Sequence, residues 1–291
     1  MAIIINSNTK ILVQGITGRE GAIHSESMKL YGSNIIAGVT PGKGGASVSG
    51  IPVYNTVSRA ILSHSEINTS IIFVPAAFAS SAVYEAIDSG IKTIVVITER
   101  IPVHDSIKFI EYAKLKGVTI IGPNCPGLIS PGECKVGIMP GHLFKPGTIG
   151  MVSRSGTLTY EIADSITRSG LGQSSAIGIG GDPVIGLGFK EIVEMFRDDV
   201  KTEAIVVIGE IGGDSEERLS STLSTLRKPI IGFIAGQAAP PGKRMGHAGA
   251  IITMGMGTAS GKKESFRKSG VIVAELPSQI PGLLKRALTE N

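Results

Sequence analysis

A chain of 291 residues with 42% hydrophobic and 18% charged side chains carries enough apolar mass for two globular domains. Its net charge of +4, spread without a Lys/Arg tract or an aromatic platform, argues against nucleic acid and suits small anionic ligands. Two cysteines, Cys125 and Cys134, make neither a disulfide framework nor, with neighbouring histidines, a metal cluster, and no apolar run is long enough to span a membrane. The N-terminus, Met1 to Asn6, carries no charged or Arg-rich leader, so a bacterial cytoplasm is expected, with a processed mitochondrial matrix chain as the alternative.

Short β-rich runs alternate with helix-period segments throughout. Lys10-Ile-Leu-Val-Gln14 predicts the first strand, which runs through Gly15-Ile-Thr-Gly18-Arg-Glu-Gly21 into a helix ending near Tyr31. Strands are expected at 34–39, 70–74, 93–97 and 118–121, with helices at 56–64, 78–88 and 105–116 between them. Continuous apolar strands alternating with helices imply a parallel sheet covered on both faces, a doubly wound α/β domain. From Pro123 to Pro146 proline and glycine concentrate, and this stretch is expected to carry the chain into a second domain, dividing it into 1–130 and 131–291. The α/β alternation then resumes, with strands at 148–152, 175–179, 203–208, 229–234 and 271–273 and helices at 155–169, 190–197, 216–226, 262–268 and 279–288. No sequence repeat relates the halves.

The turn at Gly15, Gly18 and Gly21 follows a strand and opens a helix, so its backbone N–H groups would face a pyrophosphate. Its spacing is G-x-x-G-x-x-G, and Lys43 stands in the region where an NAD-binding domain carries an acidic residue. A phosphorylated ligand other than NAD is expected; a plain tight turn is the simpler reading. Thr40-Pro-Gly-Lys43, Pro75-Ala76, Ile97-Thr-Glu99 and Pro123-Asn124 also follow strands and belong at the same carboxyl edge. Ser155 and Gly156 open a helix and offer a second anion site; a serine nucleophile elbow lacks its G-x-S-x-G frame. In Gly242-Lys-Arg-Met-Gly-His-Ala-Gly-Ala250, His247 sits among small residues beside Lys243 and Arg244, as suits a nucleophile accepting a phosphoryl group or a histidine in a surface loop. Glu210, at a strand end, is placed either to orient that imidazole or to cap and face solvent.

These segments, with Ile121-Gly-Pro-Asn-Cys-Pro-Gly127, Val152-Ser-Arg-Ser-Gly-Thr-Leu-Thr-Tyr160, Gly178-Ile-Gly-Gly-Asp-Pro183 and Ile208-Gly-Glu-Ile-Gly-Gly213, resemble in order the α subunits of succinyl-CoA synthetases. The resemblance covers essentially the whole chain. It implies a Rossmann-like CoA-binding domain followed by a flavodoxin-like ligase domain. It also implies a β-subunit partner, in an αβ or α2β2 assembly, that binds Mg²⁺ with ATP/ADP or GTP/GDP. Thr17, Gly18, Arg19, Glu20, Lys43, Ile97, Thr98 and Glu99 match CoA-binding positions, and His247 matches the phosphorylated histidine with Glu210 as its partner. Ser155 and Gly156 match the helix start that cradles the phosphate, and Tyr160 matches a position near the substrate. Glu20 departs from the common Gln, and its carboxylate would repel a CoA phosphate unless it turns away or Arg19 offsets it. Two rivals share most of these motifs: a subunit of a related acyl-CoA ligase or lyase for another acid, and a non-enzymatic CoA-binding protein.

Overall fold

The computed structural model describes residues 3–220, 223, 226–240, 242–252 and 256–290. Pro241 of the His247 loop and residues 221, 222, 224 and 225 of the helix expected over 216–226 lie outside that set.

The first half forms β1 (Lys10–Gln14), α1 (Arg19–Leu30), β2 (Asn34–Val39), β3 (Ser47–Val48), β4 (Ile51–Tyr54), α2 (Val57–Ser63), β5 (Thr69–Ile72), α3 (Ala76–Asp88), β6 (Thr93–Val96), α4 (Val103–Leu115) and β7 (Thr119–Ile121). Its sheet runs β3-β4-β2-β1-β5-β6-β7 and is parallel except for the β3–β4 ribbon. Ile11, Leu12 and Val13 have no exposed surface, as a central strand covered on both faces requires. The chain leaves β1 towards β2 on one side and returns at β5 on the other, so the β1/β5 crevice is a topological switch point.

The second half forms β8 (Gly127–Ser130), β9 (Cys134–Gly137), β10 (Pro146–Ser153), α5 (Gly156–Arg168), β11 (Gln173–Gly178), α6 (Phe189–Asp198), β12 (Ala204–Glu210), α7 (Ser215–Ser220), β13 (Ile230–Ala235), α8 (Ala259–Lys268), β14 (Ile272–Ala274) and α9 (Ile280–Thr289). The order β14-β13-β12-β10-β11-β8-β9 puts its switch point between β10 and β12.

Two antiparallel ribbons were not foreseen. Ser47–Val48 with Ile51–Tyr54 is too short and too small in its side chains to give a strand signal. The hairpin Gly127–Gly137 lies inside the proline- and glycine-rich stretch and pairs with β11 through Leu128 and Ile177. The passage from one sheet to the other therefore falls between Ile121 and Gly127, ahead of the division expected at residue 130. A Cβ at Gly127 would stand 2.1 Å from the Val136 carbonyl oxygen, which is why glycine occupies this hairpin.

The hairpin joins the halves. Lys135 is 2% exposed and donates from Nζ to Ser27 Oγ (2.8 Å) on α1 and to the Met139 carbonyl (3.1 Å), while Ser130 Oγ donates to the Ile5 carbonyl (2.9 Å). One apolar cluster runs from Ile11 and Val13 to Ile205 and Val207. The loops at the carboxyl edges of the two sheets bond to each other: Asn124 N–H to Thr98 O (3.0 Å), Gly181 N–H to Asn124 O (3.2 Å) and Gly186 N–H to Gly122 O (2.8 Å). The carboxyl edges of the two sheets thus meet around Thr98, Asn124 and Gly181. No helix among the described residues is long and apolar enough to cross a membrane.

Candidate active site

Glu210 is the last residue of β12, and its side chain is 9% exposed. Its two carboxylate oxygens have separate partners. Oε2 lies 2.7 Å from His247 Nδ1, and Oε1 accepts from Arg154 Nε at 3.2 Å. Arg154 follows β10 directly, is 6% exposed, and its Nη2 donates to the Asp182 carbonyl (2.9 Å) beyond β11. Asp182 Oδ1 accepts in turn from Asn124 Nδ2 (2.9 Å). Glu210, Arg154, Asp182 and Asn124 lie at or shortly after the carboxyl ends of β12, β10, β11 and β7, and His247 reaches them from the long loop after β13.

The loop carrying His247 is held by its own backbone: Met245 N–H donates to Ala250 O (2.9 Å), His247 N–H to Met245 O (3.0 Å), and Gly249 N–H to Gly181 O (3.2 Å). The imidazole is half-buried, whereas Lys243 and Arg244 are exposed. Its pKa lies above the ordinary 6.5, first through the hydrogen bond to Glu210, against the opposing effect of burial. With Nδ1 engaged by a carboxylate, the neutral ring carries its proton there and leaves the Nε2 lone pair free. Asp182, close by, has its carboxyl raised by burial, partly countered by the bond from Asn124.

Gly181 gives the ring its place. A Cβ there would stand 2.2 Å from His247 Cγ. Gly181→Ala is therefore expected to drive the ring off Glu210 and return its titration midpoint towards 6.5, read by NMR of the histidine protons; an unshifted midpoint would contradict this geometry.

His247 faces a cavity of about 430 Å³ shared with Ile97 and Glu99 from the end of β6, Asn124, Ser155, Gly156 and Tyr160. Ser155 caps α5, its Oγ accepting from Leu158 N–H at 3.3 Å. Gly156 and Thr157 line the cavity in the first turn, where helix N–H groups lack intrahelical acceptors and the dipole favours an anion. Burial pushes the Cys125 thiol and the Tyr160 phenol up to about 12, so neither is a nucleophile near neutrality. Cys125 is 4% exposed, in keeping with a packed thiol.

A second cavity, about 560 Å³, lies at the β1/β5 switch point. Thr17, Gly18, Thr40, Pro41, Phe73 and Phe78 are in its wall. Gly15 has φ +81°, open to glycine, and Gly21 lets α1 approach so closely that a Cβ would meet Gly15 O at 2.2 Å. Together they aim the α1 N-terminus across this cavity.

The residues singled out from sequence divide accordingly. His247, Ser155, Gly156, Tyr160, Ile97 and Glu99 meet in the first cavity, with Glu210 bonded behind the histidine. Thr17 and Gly18 stand in the second. Thr98 donates its Oγ1 to Val74 O (2.7 Å), which ties the end of β6 to β5. Arg19 and Lys43 are exposed. Glu20 is exposed and lies 3.4 Å from His24 one turn along α1. Sequence reasoning placed Asn124 at this edge but passed over Arg154 and Asp182. The available signal was a charged residue directly after an apolar strand in Arg154 and another shortly after one in Asp182, where a buried charge needs a buried partner.

Residues 6–100 match the CoA binding domain family and residues 152–272 the CoA-ligase family. The chain is 54% identical to succinate–CoA ligase [ADP-forming] subunit alpha 2 of Archaeoglobus fulgidus over 99% of its own length and 100% of that protein's. It is 56% identical to the corresponding alpha subunit of Aquifex aeolicus over 96% of this chain and 92% of that protein. The structure of Methanosaeta concilii ATP citrate lyase in complex with (3S)-citryl-CoA superimposes with a TM-score of 0.91 at 24% identity. That match covers 99% of this chain, which spans about half of the lyase (50%), and it shows the shared fold. On identity across its whole length, this chain belongs to the family of succinate–CoA ligase α subunits.

Proposed function

We propose that the chain is the α subunit of an ADP-forming succinate–CoA ligase, interconverting succinyl-CoA, phosphate and ADP with succinate, CoA and ATP through a phosphorylated His247. The observation that carries this reading is the His247 Nδ1–Glu210 bond, which leaves Nε2 facing a cavity that also receives the start of α5. CoA fits the remainder. The α1 N-terminus and its glycines suit the pyrophosphate, and the wall formed by Phe73, Phe78 and Pro41 suits an apolar or aromatic portion. From the β1/β5 crevice to the end of β6 is about two strand spacings, roughly 10 Å. A pantetheine arm laid across the sheet edge would cover this and bring the thioester past Ile97 to His247.

In the first step a phosphate oxygen attacks the acyl carbon, the C–S bond breaks and the CoA thiolate leaves, giving succinyl phosphate. The Nε2 lone pair then attacks phosphorus and the P–O bond to the acyl group breaks, releasing succinate as its carboxylate. The Nδ1 proton stays on the ring, and Glu210 neutralises the positive charge that develops. Gly156 and Thr157, in the first turn of α5, offer N–H donors to the phosphoryl oxygens. The exposed loop, with Lys243 and Arg244, presents the group to ADP and Mg²⁺, which belong to a β-subunit partner.

Reconstitution with a β subunit tests the assignment. ATP is expected from succinyl-CoA, phosphate and ADP, with acetyl-CoA or citryl-CoA supporting little turnover; preference for another acyl group would favour the rival ligase or lyase. Phe78, 65% exposed at the rim of the second cavity, bears on CoA alone. Phe78→Ala is expected to weaken CoA about tenfold, measured by calorimetry, and to leave nucleotide-driven phosphorylation unchanged. Equal CoA affinity would move the ligand elsewhere.

A further inference from the structure

Directly behind Glu210 lies a buried ion pair that the proposed chemistry does not use. Glu216 on α7 and Lys262 on α8 both have side chains with no exposed surface. The carboxylate Oε2 of Glu216 is bonded to Lys262 Nζ, and its Oε1 accepts from the backbone N–H of Glu210 at 3.1 Å. Lys262 Nζ also donates to Glu217 Oε2 (3.0 Å) and to the Gly213 carbonyl (3.1 Å). Gly209 makes room, since a Cβ there would stand 2.4 Å from Glu216 Oε1.

A buried pair of this kind is weak evidence for stability, because desolvation offsets most of its attraction. Its position is more informative. Glu216 holds the backbone of the residue that contacts His247, and Lys262 holds the loop that follows that residue. Lys262 also belongs to α8, the helix reached from the His247 loop, and Gly212 N–H bonds Gly257 O (2.8 Å) just before that helix. The Glu210 side of the His247–Glu210 contact is therefore tied to this pair through two hydrogen bonds.

We infer that Glu216 and Lys262 are positioning residues for the His247–Glu210 couple, fixing its geometry without touching substrate. This rests on the phosphohistidine reading for its catalytic consequence, but the geometry itself is testable without turnover. The groups facing His247 are Glu210 from β12, Arg154 after β10 and Asp182 after β11; those facing Glu216 are Lys262, Glu217 and, more distantly, Arg154.

The informative variant is Glu216→Gln. An amide cannot offer an oxygen to both Glu210 N–H and the Lys262 ammonium, so one contact is lost while the volume is kept. In the full chain, the NMR titration midpoint of His247 is expected to fall from its raised value towards 6.5. In the complex with the β subunit, phosphorylation of His247 by ATP is expected to slow by up to about 100-fold, with CoA affinity unchanged. If Glu216→Gln does not fold, the double variant Glu216→Met/Lys262→Met, neutral, of similar volume and without an acceptor for Glu210 N–H, carries the same expectation. A folded variant with the wild-type His247 midpoint and phosphorylation rate would overturn the assignment. Wild-type protein that is never phosphorylated, yet whose His247 midpoint falls on Glu216→Gln, would refute the phosphohistidine reading and leave the positioning role intact.

Discussion

Replacing His247 by asparagine is expected to abolish phosphoryl acceptance and reduce turnover to the level of a reaction without enzyme. Asparagine fills much the same space and can bond Glu210, but its amide nitrogen has no available lone pair to attack phosphorus. The cavity at the β1/β5 crevice, proposed above for CoA, shares none of its lining with the histidine, so CoA affinity is expected to stay within about twofold of wild type. Titration calorimetry with CoA and a coupled ATP assay separate the two effects. Turnover retained by a clean preparation of this variant would remove the mechanism.

The second large effect is expected from Glu210→Gln. The carboxylate serves two donors, His247 Nδ1–H through Oε2 and Arg154 Nε–H through Oε1. An amide has one acceptor oxygen. If it faces Arg154, its NH₂ faces Nδ1, the ring proton moves to Nε2, and the lone pair points away from the cavity. If it faces His247, a buried guanidinium loses its carboxylate. Either arrangement is expected to slow phosphorylation about 1,000-fold.

The same substitution shifts the pH profile. The fold raises the His247 pKa above 6.5, chiefly through the Glu210 bond, so it favours the imidazolium. The corresponding stability is fully present below 6.5 and is lost as pH rises through the raised value. Neutral, nucleophilic imidazole appears over that upper window. Wild-type phosphorylation is therefore expected to rise with pH through a midpoint above 6.5, and the residual rate of Glu210→Gln through a lower one. A profile that does not move would show that Glu210 does not set the charge state of the ring.

Much of this arrangement was legible in the chain because strand ends are legible. Apolar runs such as Ala204–Glu210 and Ile230–Ala235 mark central parallel strands, and chemistry-bearing residues directly after them fall on one edge. That reasoning brought Thr40 to Lys43, Ile97 to Glu99 and Asn124 to one edge and put Glu210 at a strand end. On its own it left open whether Glu210 orients His247 or faces solvent, because 37 residues separate them and only strand order sets β12 beside β13; the resemblance supplied the pairing. Arg154 and Asp182 were missed for a related reason: a charged residue in a loop reads as solvated until packing shows it buried. The hairpin at 127–137 was hidden by its own glycines and proline; Gly127 and Gly137 serve there to let two backbones approach and not to loosen a linker. Glu20 shows the opposite limit. Its sequence position places it at the mouth of the first turn, and its side chain lies beside His24.

The most direct test of the central claim is to find the phosphoryl group. The chain, assembled with a β subunit, is incubated with Mg²⁺ and ATP and then examined by intact mass and ³¹P NMR. An acid-labile adduct of one phosphoryl group on Nε2 of His247, discharged by succinate together with CoA, is the expected result. A folded complex that acquires no adduct, or carries it on another residue, would contradict the account.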